Sequence, residues 1–232
     1  VKLCINNSYY VEMSLSELTL LGIVIASMKL VWSDVSSVLL PKLVHSSTFQ
    51  YITIGSIGAL LTLWSLKSGL NDTMSVHFLG LTTLTLMYGW RSAYFISFTS
   101  ALCLVILGNI PFEALTHFLV ISCLIPILLS YLIFAISYHA LPRNIFVFIF
   151  VAGFFNAALV CITHLLIRGL WIYCFTDYDW EAIKTNYLIL IPLLSFPEGL
   201  LNGMFIAVLT VFKPELLRVF SDRHYIYDQY RE

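Results

Sequence analysis

The chain has 232 residues, of which 59% are hydrophobic and only 11% are charged, and its formal net charge is −1. Soluble domains are usually about 45–50% apolar and about 25% charged. So few charged side chains cannot form the solvated surface of a soluble protein of this length, and the remaining surface must face lipid. The composition therefore predicts a membrane protein. A net charge this close to zero gives no indication of nucleic-acid binding, which needs a basic patch.

Residues 1–13 are polar and differ from everything that follows them. They lack the basic start, apolar centre and small-residue cleavage site of a signal peptide, and Met13 looks like a more natural beginning. We expect residues 1–13 to be an extension and residues 14–213 to form a single transmembrane helical domain. Residues 214–232 are expected to form a cytoplasmic tail.

The sequence contains about seven apolar segments of the length that a membrane-spanning helix needs, about 20 residues. The predicted fold class is therefore all-α, a polytopic membrane protein with about seven transmembrane helices. The segments run approximately over residues 18–32, 49–66, 74–90, 92–107, 112–138, 145–167 and 187–212. Residues 33–48 are predicted to form a polar linker, and residues 89–91 a tight break between the third and fourth segments.

Seven segments place the two ends of the chain on opposite sides of the membrane, and cytoplasmic loops carry an excess of Lys and Arg. If the C-terminus is inside, that side collects seven basic residues and the other side three. The sequence therefore predicts that the N-terminus is outside and the C-terminus inside. The seven are Lys42, Arg91, Arg143, Lys213, Arg218, Arg223 and Arg231, and the three are Lys2, Lys67 and Lys184.

Two acid–imidazole pairs fall at the predicted outer side, Asp72 with His77 and Glu113 with His117. Ionisable side chains at membrane depth cost about 2.5–3.5 kcal/mol on insertion scales and are functional candidates. Neutral imidazole suits cobalt, nickel, copper and zinc, with carboxylate as a companion ligand. Glu113 and His117 are four residues apart and would share one face of an α-helix. These four residues are the predicted metal ligands. The alternative is that each histidine bonds the backbone of a neighbouring helix.

The other four histidines are expected to be solvated or interfacial rather than ligands. They are His45 in the linker, His139 in a loop, His164 late in the sixth segment and His224 in the tail.

Glu198 lies in the middle of the seventh segment, next to Pro197 and four residues before Asn202. A carboxyl group at bilayer depth must be protonated, paired or in contact with water, and a proline inside a helix frees a carbonyl group. These residues are predicted to form a gate, a proton relay or a packing lock. The alternative is a buried glutamate bonded to a neighbouring helix.

Enzyme chemistry is not expected. The chain has no phosphate-binding Walker loop, and therefore no ATP site of its own, and it has no H-E-x-x-H zinc motif. No nucleophile elbow of a serine hydrolase is present either.

Residues 71–88, centred on Ser75-Val76-His77-Phe78-Leu79-Gly80, resemble the opening of a membrane helix in a known family. This family comprises the substrate-specific components of energy-coupling-factor transporters for cobalt and nickel. Residues 141–150 and 196–204 resemble a proteobacterial branch of energy-coupling-factor permeases.

The resemblance implies an all-helical subunit of the bacterial inner membrane that captures a divalent cation from outside. It implies partnership with a transmembrane coupling subunit and two ATPase subunits. His77 matches a histidine that ligates the metal in this family. The family's opening Met-His-Ile-Pro-Asp-Gly, which supplies further ligands, is reproduced neither by Val1-Lys2-Leu3 nor by Met13-Ser14-Leu15.

Three functions follow from these observations. The first is capture of cobalt or nickel for transport, with His77 as a ligand. The second is the same architecture with a different small solute, since the N-terminal ligands are missing. The third is a membrane sensor, an assembly protein or a haem-binding protein that does not transport.

Overall fold

The structure is a computed structural model that describes residues 2–5, 9–12, 15–67 and 74–220. Strands β1 (Lys2–Ile5) and β2 (Tyr9–Glu12) pair antiparallel, with Lys2 opposite Glu12. The rest of the described chain is helical, apart from short connections and the non-helical residues 74–80.

The first helical stretch is longer than predicted. Helix α1 (Leu15–Asp34) continues through a π-helical turn (Val35–Leu39) into α2 (Leu40–His45). The prediction of a polar linker over residues 33–48 is therefore wrong. Its hydroxyl groups bond back to helix carbonyls, as the Ser37 Oγ does to the Ser33 carbonyl at 2.6 Å, so polarity alone does not break the helix.

Helix α3 (Ser47–Ser65) starts directly after Ser46, whose hydroxyl accepts a hydrogen bond from the Phe49 amide at 3.3 Å. Helix α4 (Leu81–Ile106) contains a sharp bend at Gly89, where φ is 77° and ψ is 157°. The predicted third segment thus becomes helical seven residues later than expected, and the break at residues 89–91 is a bend inside α4. Gly89 makes the bend because a positive φ is unfavourable for residues that carry a Cβ.

Three further stretches complete the bundle. The first joins a 3₁₀ turn (Phe112–Ala114), α5 (Leu115–His117), a π-helical part (Phe118–Leu124) and α6 (Ile125–Ala140). The second joins α7 (Ile145–Val147), a π-helical part (Phe148–Phe155) and α8 (Asn156–Phe175). The third joins α9 (Trp180–Asn186), a 3₁₀ turn (Leu188–Leu190) and α10 (Ile191–Phe212), and a last 3₁₀ turn (Pro214–Leu216) follows it.

Among the described residues, five helical stretches are long and apolar enough to cross a membrane. They are Ser16–His45, Leu81–Ile106, Phe112–Ala140, Ile145–Phe175 and Trp180–Phe212. Large apolar side chains remain exposed along them, including Trp32, Leu132 and Phe205, as expected of helices that face lipid. The chain is a multi-pass helical membrane protein.

The core lies where α4 packs between α3 and α6, and where α10 packs on α8 and on the π-helical part that precedes it. Gly203 permits the second contact, because a Cβ at this position would lie 3.0 Å from the Cβ of Phe154. This close approach brings the middle of α10 to the start of α4.

Candidate functional site

Side chains of α10 hold the start of α4. The carboxyl group of Glu198 accepts hydrogen bonds from the Leu79 amide at 2.9 Å and from the Gly80 amide at 2.7 Å. One turn further along α10, the Asn202 Oδ1 accepts from the Thr83 amide at 2.9 Å. The first amides of a helix have no partner within the helix. Glu198 and Asn202 lie four residues apart on one face of α10 and cap the amides at the start of α4.

The two capping side chains also bond each other, since the Asn202 Nδ2 donates to the Glu198 Oε1 at 2.9 Å. Pro197 lies next to Glu198 inside α10 and is half-buried. The three residues singled out by the sequence therefore lie together, and two of them contact α4 directly.

Residues 74–80 are held from a second side by α3. The indole Nε1 of fully buried Trp64 donates to the Leu79 carbonyl at 3.1 Å. Gly80 turns the chain into α4 with a φ of 66°. His77 is thus carried by a non-helical segment whose end is fixed by both α3 and α10.

His77 is 7% exposed, and its Nδ1 lies 3.1 Å from the Phe78 carbonyl oxygen. Because a carbonyl oxygen only accepts, Nδ1 carries the proton and donates it, which leaves the lone pair of the neutral ring on Nε2. That Nε2 is buried and has no hydrogen-bond partner among the described residues.

Two further histidines lie near His77. The ring of His164 is 6.2 Å from that of His77, and its Nε2 is 3.3 Å from the Ser122 Oγ. His117 packs on Trp171 with ring centroids 4.8 Å apart, and its buried Nε2 has no partner in the described part of the chain.

The prediction that His164 is solvated or interfacial is wrong, since only 4% of this residue is exposed. A signal was present in the sequence, because His164, Arg168 and Trp171 are spaced by four and three residues and share one face of α8. Arg168 and Trp171 line the same cavity as His77 and His117.

This cavity, which we call the histidine cavity, has a volume of about 1020 Å³. Its lining includes the side chains of His77, His117, Ser122, Arg168 and Lys67. Lys67 forms part of its rim and donates to the Asn109 carbonyl at 2.7 Å, while the Asn109 side chain donates to the Ser65 hydroxyl at 3.0 Å.

The two predicted carboxylate ligands have different outcomes. Asp72 lies outside the described residues. Glu113 lies on the 3₁₀ turn before α5, is exposed, and does not line the histidine cavity, whereas His117 does. Glu113 and His117 were expected on one face of an α-helix, which requires that both residues belong to the same α-helix. Glu113 instead lies in the 3₁₀ turn before α5.

Within residues 16–67 and 74–220, no three side chains of His, Cys, Asp or Glu are grouped closely enough to hold a metal ion. The described part of the site offers two imidazole Nε2 atoms without a hydrogen-bond partner, those of His77 and His117, and the ring of His164 beside His77. Such an arrangement can bind a ligand that accepts donation from imidazole or forms hydrogen bonds to it.

No family model matches the chain, and no curated protein matches it either. Its fold is similar to that of a solved structure, the crystal structure of a truncated transition metal transporter. The TM-score is 0.66 at 11% sequence identity, and the match covers 84% of this chain and 93% of that chain. At this identity the likeness concerns the fold, which extends over nearly the whole of both chains.

Proposed function

We propose that this protein is the substrate-capture component of a membrane transporter and that its substrate is a divalent transition-metal ion, cobalt or nickel. The observation that carries the proposal is the pair of buried Nε2 atoms of His77 and His117, which have no partner among the described residues and line one cavity. A buried polar atom without a partner costs about 1–3 kcal/mol, and a bound ligand would remove that cost.

The chemistry of the donors supports a late first-row metal. Neutral imidazole binds nickel and cobalt through an unprotonated ring nitrogen, and the Phe78 carbonyl holds His77 in the tautomer that leaves Nε2 open. We propose His77 as the central ligand, His117 as a further donor and Asp72 as the carboxylate. The similar fold of the truncated transition metal transporter agrees with this substrate class.

One contact beside the bend of α4 and one just after its last residue support the predicted seven crossings. Lys67 and Asn109 are bonded at one end of the bundle. At the other end, the Arg218 amide donates to the Met87 carbonyl at 3.1 Å, close to the bend at Gly89. We propose that the chain crosses the membrane once before the bend at Gly89 and once after it, and both crossings belong to our proposed count of seven.

We further propose the orientation with the N-terminus outside and the C-terminus inside, in a bacterial inner membrane. The histidine cavity then opens outward, as a capture site requires. A capture protein without an ATP site needs partners that use ATP. We propose a transmembrane coupling subunit and two ATPase subunits of the energy-coupling-factor type.

Metal content measured by mass spectrometry tests the proposal. Protein purified in detergent and loaded with nickel or cobalt is expected to retain near-stoichiometric metal. His77→Ala is expected to weaken retention at least about tenfold, since even loss of an outer partner of a ligand costs this much. The matched control is His45→Ala, because His45 is exposed on α2 and bonds only the Pro41 carbonyl among the described residues. Equal retention in both variants would overturn the assignment of His77.

A second candidate function is capture of a larger solute, either an organic molecule or a metal held by a chelator. The specific observation in its favour is the cavity volume of about 1020 Å³, since small-molecule sites usually measure about 300–1,000 Å³. An organic ligand that co-purifies with the wild-type protein and is lost in His77→Ala, without retained metal, would favour this function.

A further inference from the structure

A second cavity lies at the opposite end of the bundle, where the bend of α4, the end of α6 and the residues after α10 meet. Its volume is about 490 Å³. Its polar and aromatic lining includes Asp34, Trp90, Arg91, Tyr131, His139 and Arg218. We call it the inner cavity, and no role in metal capture is assigned to it.

The charges of Asp34 and Arg218 compensate each other. The two terminal nitrogens of Arg218 donate to the two carboxyl oxygens of Asp34 at 2.8 and 2.9 Å. The Ser92 hydroxyl donates to the same carboxyl group at 2.8 Å. Both oxygens of Asp34 are therefore bonded, and the Asp34–Arg218 pair contributes no net charge to the inner cavity.

Arg91 supplies the charge that remains. Its guanidinium lies over the ring of Trp90, 5.2 Å from the ring centroid. Within the described part of the chain, Arg91 has neither a hydrogen bond nor an ion pair, and Asp34, the acidic residue in the lining, is already saturated by Arg218 and Ser92. The cavity thus has a formal excess of one positive charge, with His139 exposed at its edge.

We infer that the inner cavity binds a phosphate group, presented by the headgroup of an acidic phospholipid or by a soluble phosphate ester. A planar guanidinium bonds phosphate oxygens in pairs, and the hydroxyl group of Tyr131, a partly exposed residue in the lining, can donate to the same anion. In the proposed orientation this end faces the cytoplasmic leaflet, whose acidic lipids attract basic residues near the surface.

Binding of phosphatidylglycerol and phosphatidylcholine to the detergent-purified protein, measured by native mass spectrometry, tests the inference. The wild type is expected to prefer phosphatidylglycerol, and Arg91→Gln is expected to weaken that binding about tenfold, the size of one charge-assisted bond. The matched control is Lys213→Gln, which removes one positive charge at the same end from an exposed residue outside the cavity lining.

Arg91→Lys keeps the charge and removes the planar fork, so an intermediate loss is expected, and this variant serves if Arg91→Gln does not fold. Glycerol phosphate distinguishes the two possible sources of the phosphate group. If it competes with phosphatidylglycerol for binding, the ligand is a soluble phosphate ester. If it does not compete, the ligand is the lipid headgroup. Equal losses in Arg91→Gln and Lys213→Gln would overturn the inference, since diffuse surface charge would explain them. A wild type that binds neither phosphatidylglycerol in preference to phosphatidylcholine nor glycerol phosphate would overturn it as well.

Discussion

The two ends of the bundle differ in whether their buried polar groups have hydrogen-bond partners. At the end that holds the inner cavity, Asp34 is bonded to Arg218 through both oxygens and to Ser92 as well. At the end that holds the histidine cavity, His77 and His117 each keep a buried ring nitrogen that has no partner in the described residues. A buried group with all of its partners stabilises one arrangement, whereas a group that lacks a protein partner can bond a ligand or a water molecule. The difference separates residues that hold the fold from residues that can bind a substrate.

Glu198→Ala should have the largest effect on stability, because it removes the acceptor of one buried and one partly buried amide at the start of α4. Each unsatisfied group costs about 1–3 kcal/mol, so we expect a loss of about 3 kcal/mol. Thermal unfolding in detergent, followed by tryptophan fluorescence, measures it. Glu181→Ala is the control, since this side chain is 70% exposed and pairs only with Lys184. Similar melting temperatures for both variants would contradict the capping role of Glu198.

Arg218→Ala is expected to destabilise the protein by about 2 kcal/mol. Removing one member of a buried ion pair costs about 3–5 kcal/mol, and the value is reduced here because 39% of the Arg218 side chain is exposed while Asp34 is 9% exposed. The same unfolding measurement on Lys213→Ala, whose pair with Glu215 is exposed, should show little change. If Arg218→Ala melted like Lys213→Ala, the saturated inner end would have no stabilising role.

Gly89→Ala and Gly108→Ala compare the two ends at a matched φ angle. Gly89 and Gly108 have φ angles of 77° and 75°, and a Cβ in this region costs about 1–2 kcal/mol. A Cβ at Gly89 would also lie 3.3 Å from the Arg218 side chain, while one at Gly108 would meet nothing within 4 Å. We therefore expect Gly89→Ala to melt below Gly108→Ala. The opposite order would mean that the Arg218 side chain moves aside without cost.

His77→Phe should have the smallest effect on stability, within about 1 kcal/mol, because the substitution keeps an aromatic ring of similar size. The ring already packs against Phe118, with centroids 5.7 Å apart. Metal retention should nevertheless be lost, since phenylalanine has no donor atom. A drop of more than about 2 kcal/mol in unfolding free energy would instead make His77 a residue of the fold.

Whether a structural feature could be predicted from the sequence depends on how far apart along the chain the residues that form it lie. Apolar segment lengths predicted a helical membrane protein, and local glycine chemistry predicted an interruption at Gly89. The sequence does not distinguish a turn from a bend there, because both need the same positive φ. Residues 33–48 were predicted to form a linker because they are polar. One of these polar residues, Asp34, is instead bonded to Arg218, which lies 184 residues further along the chain.

The site was harder to predict for the same reason. His77 was recognisable from its local pattern, whereas the burial of His164 depends on Ser122, 42 residues away and on another helix. Glu198 and Asn202 were recognisable as unusual in an apolar segment. That they bond the start of α4 follows from the packing of α10 rather than from any local pattern.

The capping of α4 by α10 has a consequence for the order in which the protein is made. Synthesis proceeds from the N-terminus, and the acceptors for the Leu79 and Gly80 amides lie 119 and 118 residues later, on the last long helix. Until α10 leaves the ribosome and enters the membrane, the segment that carries His77 lacks one of its two anchors. A nascent chain that stops before residue 191 therefore contains His77, His117 and His164 but lacks the carboxyl group that bonds the Leu79 and Gly80 amides.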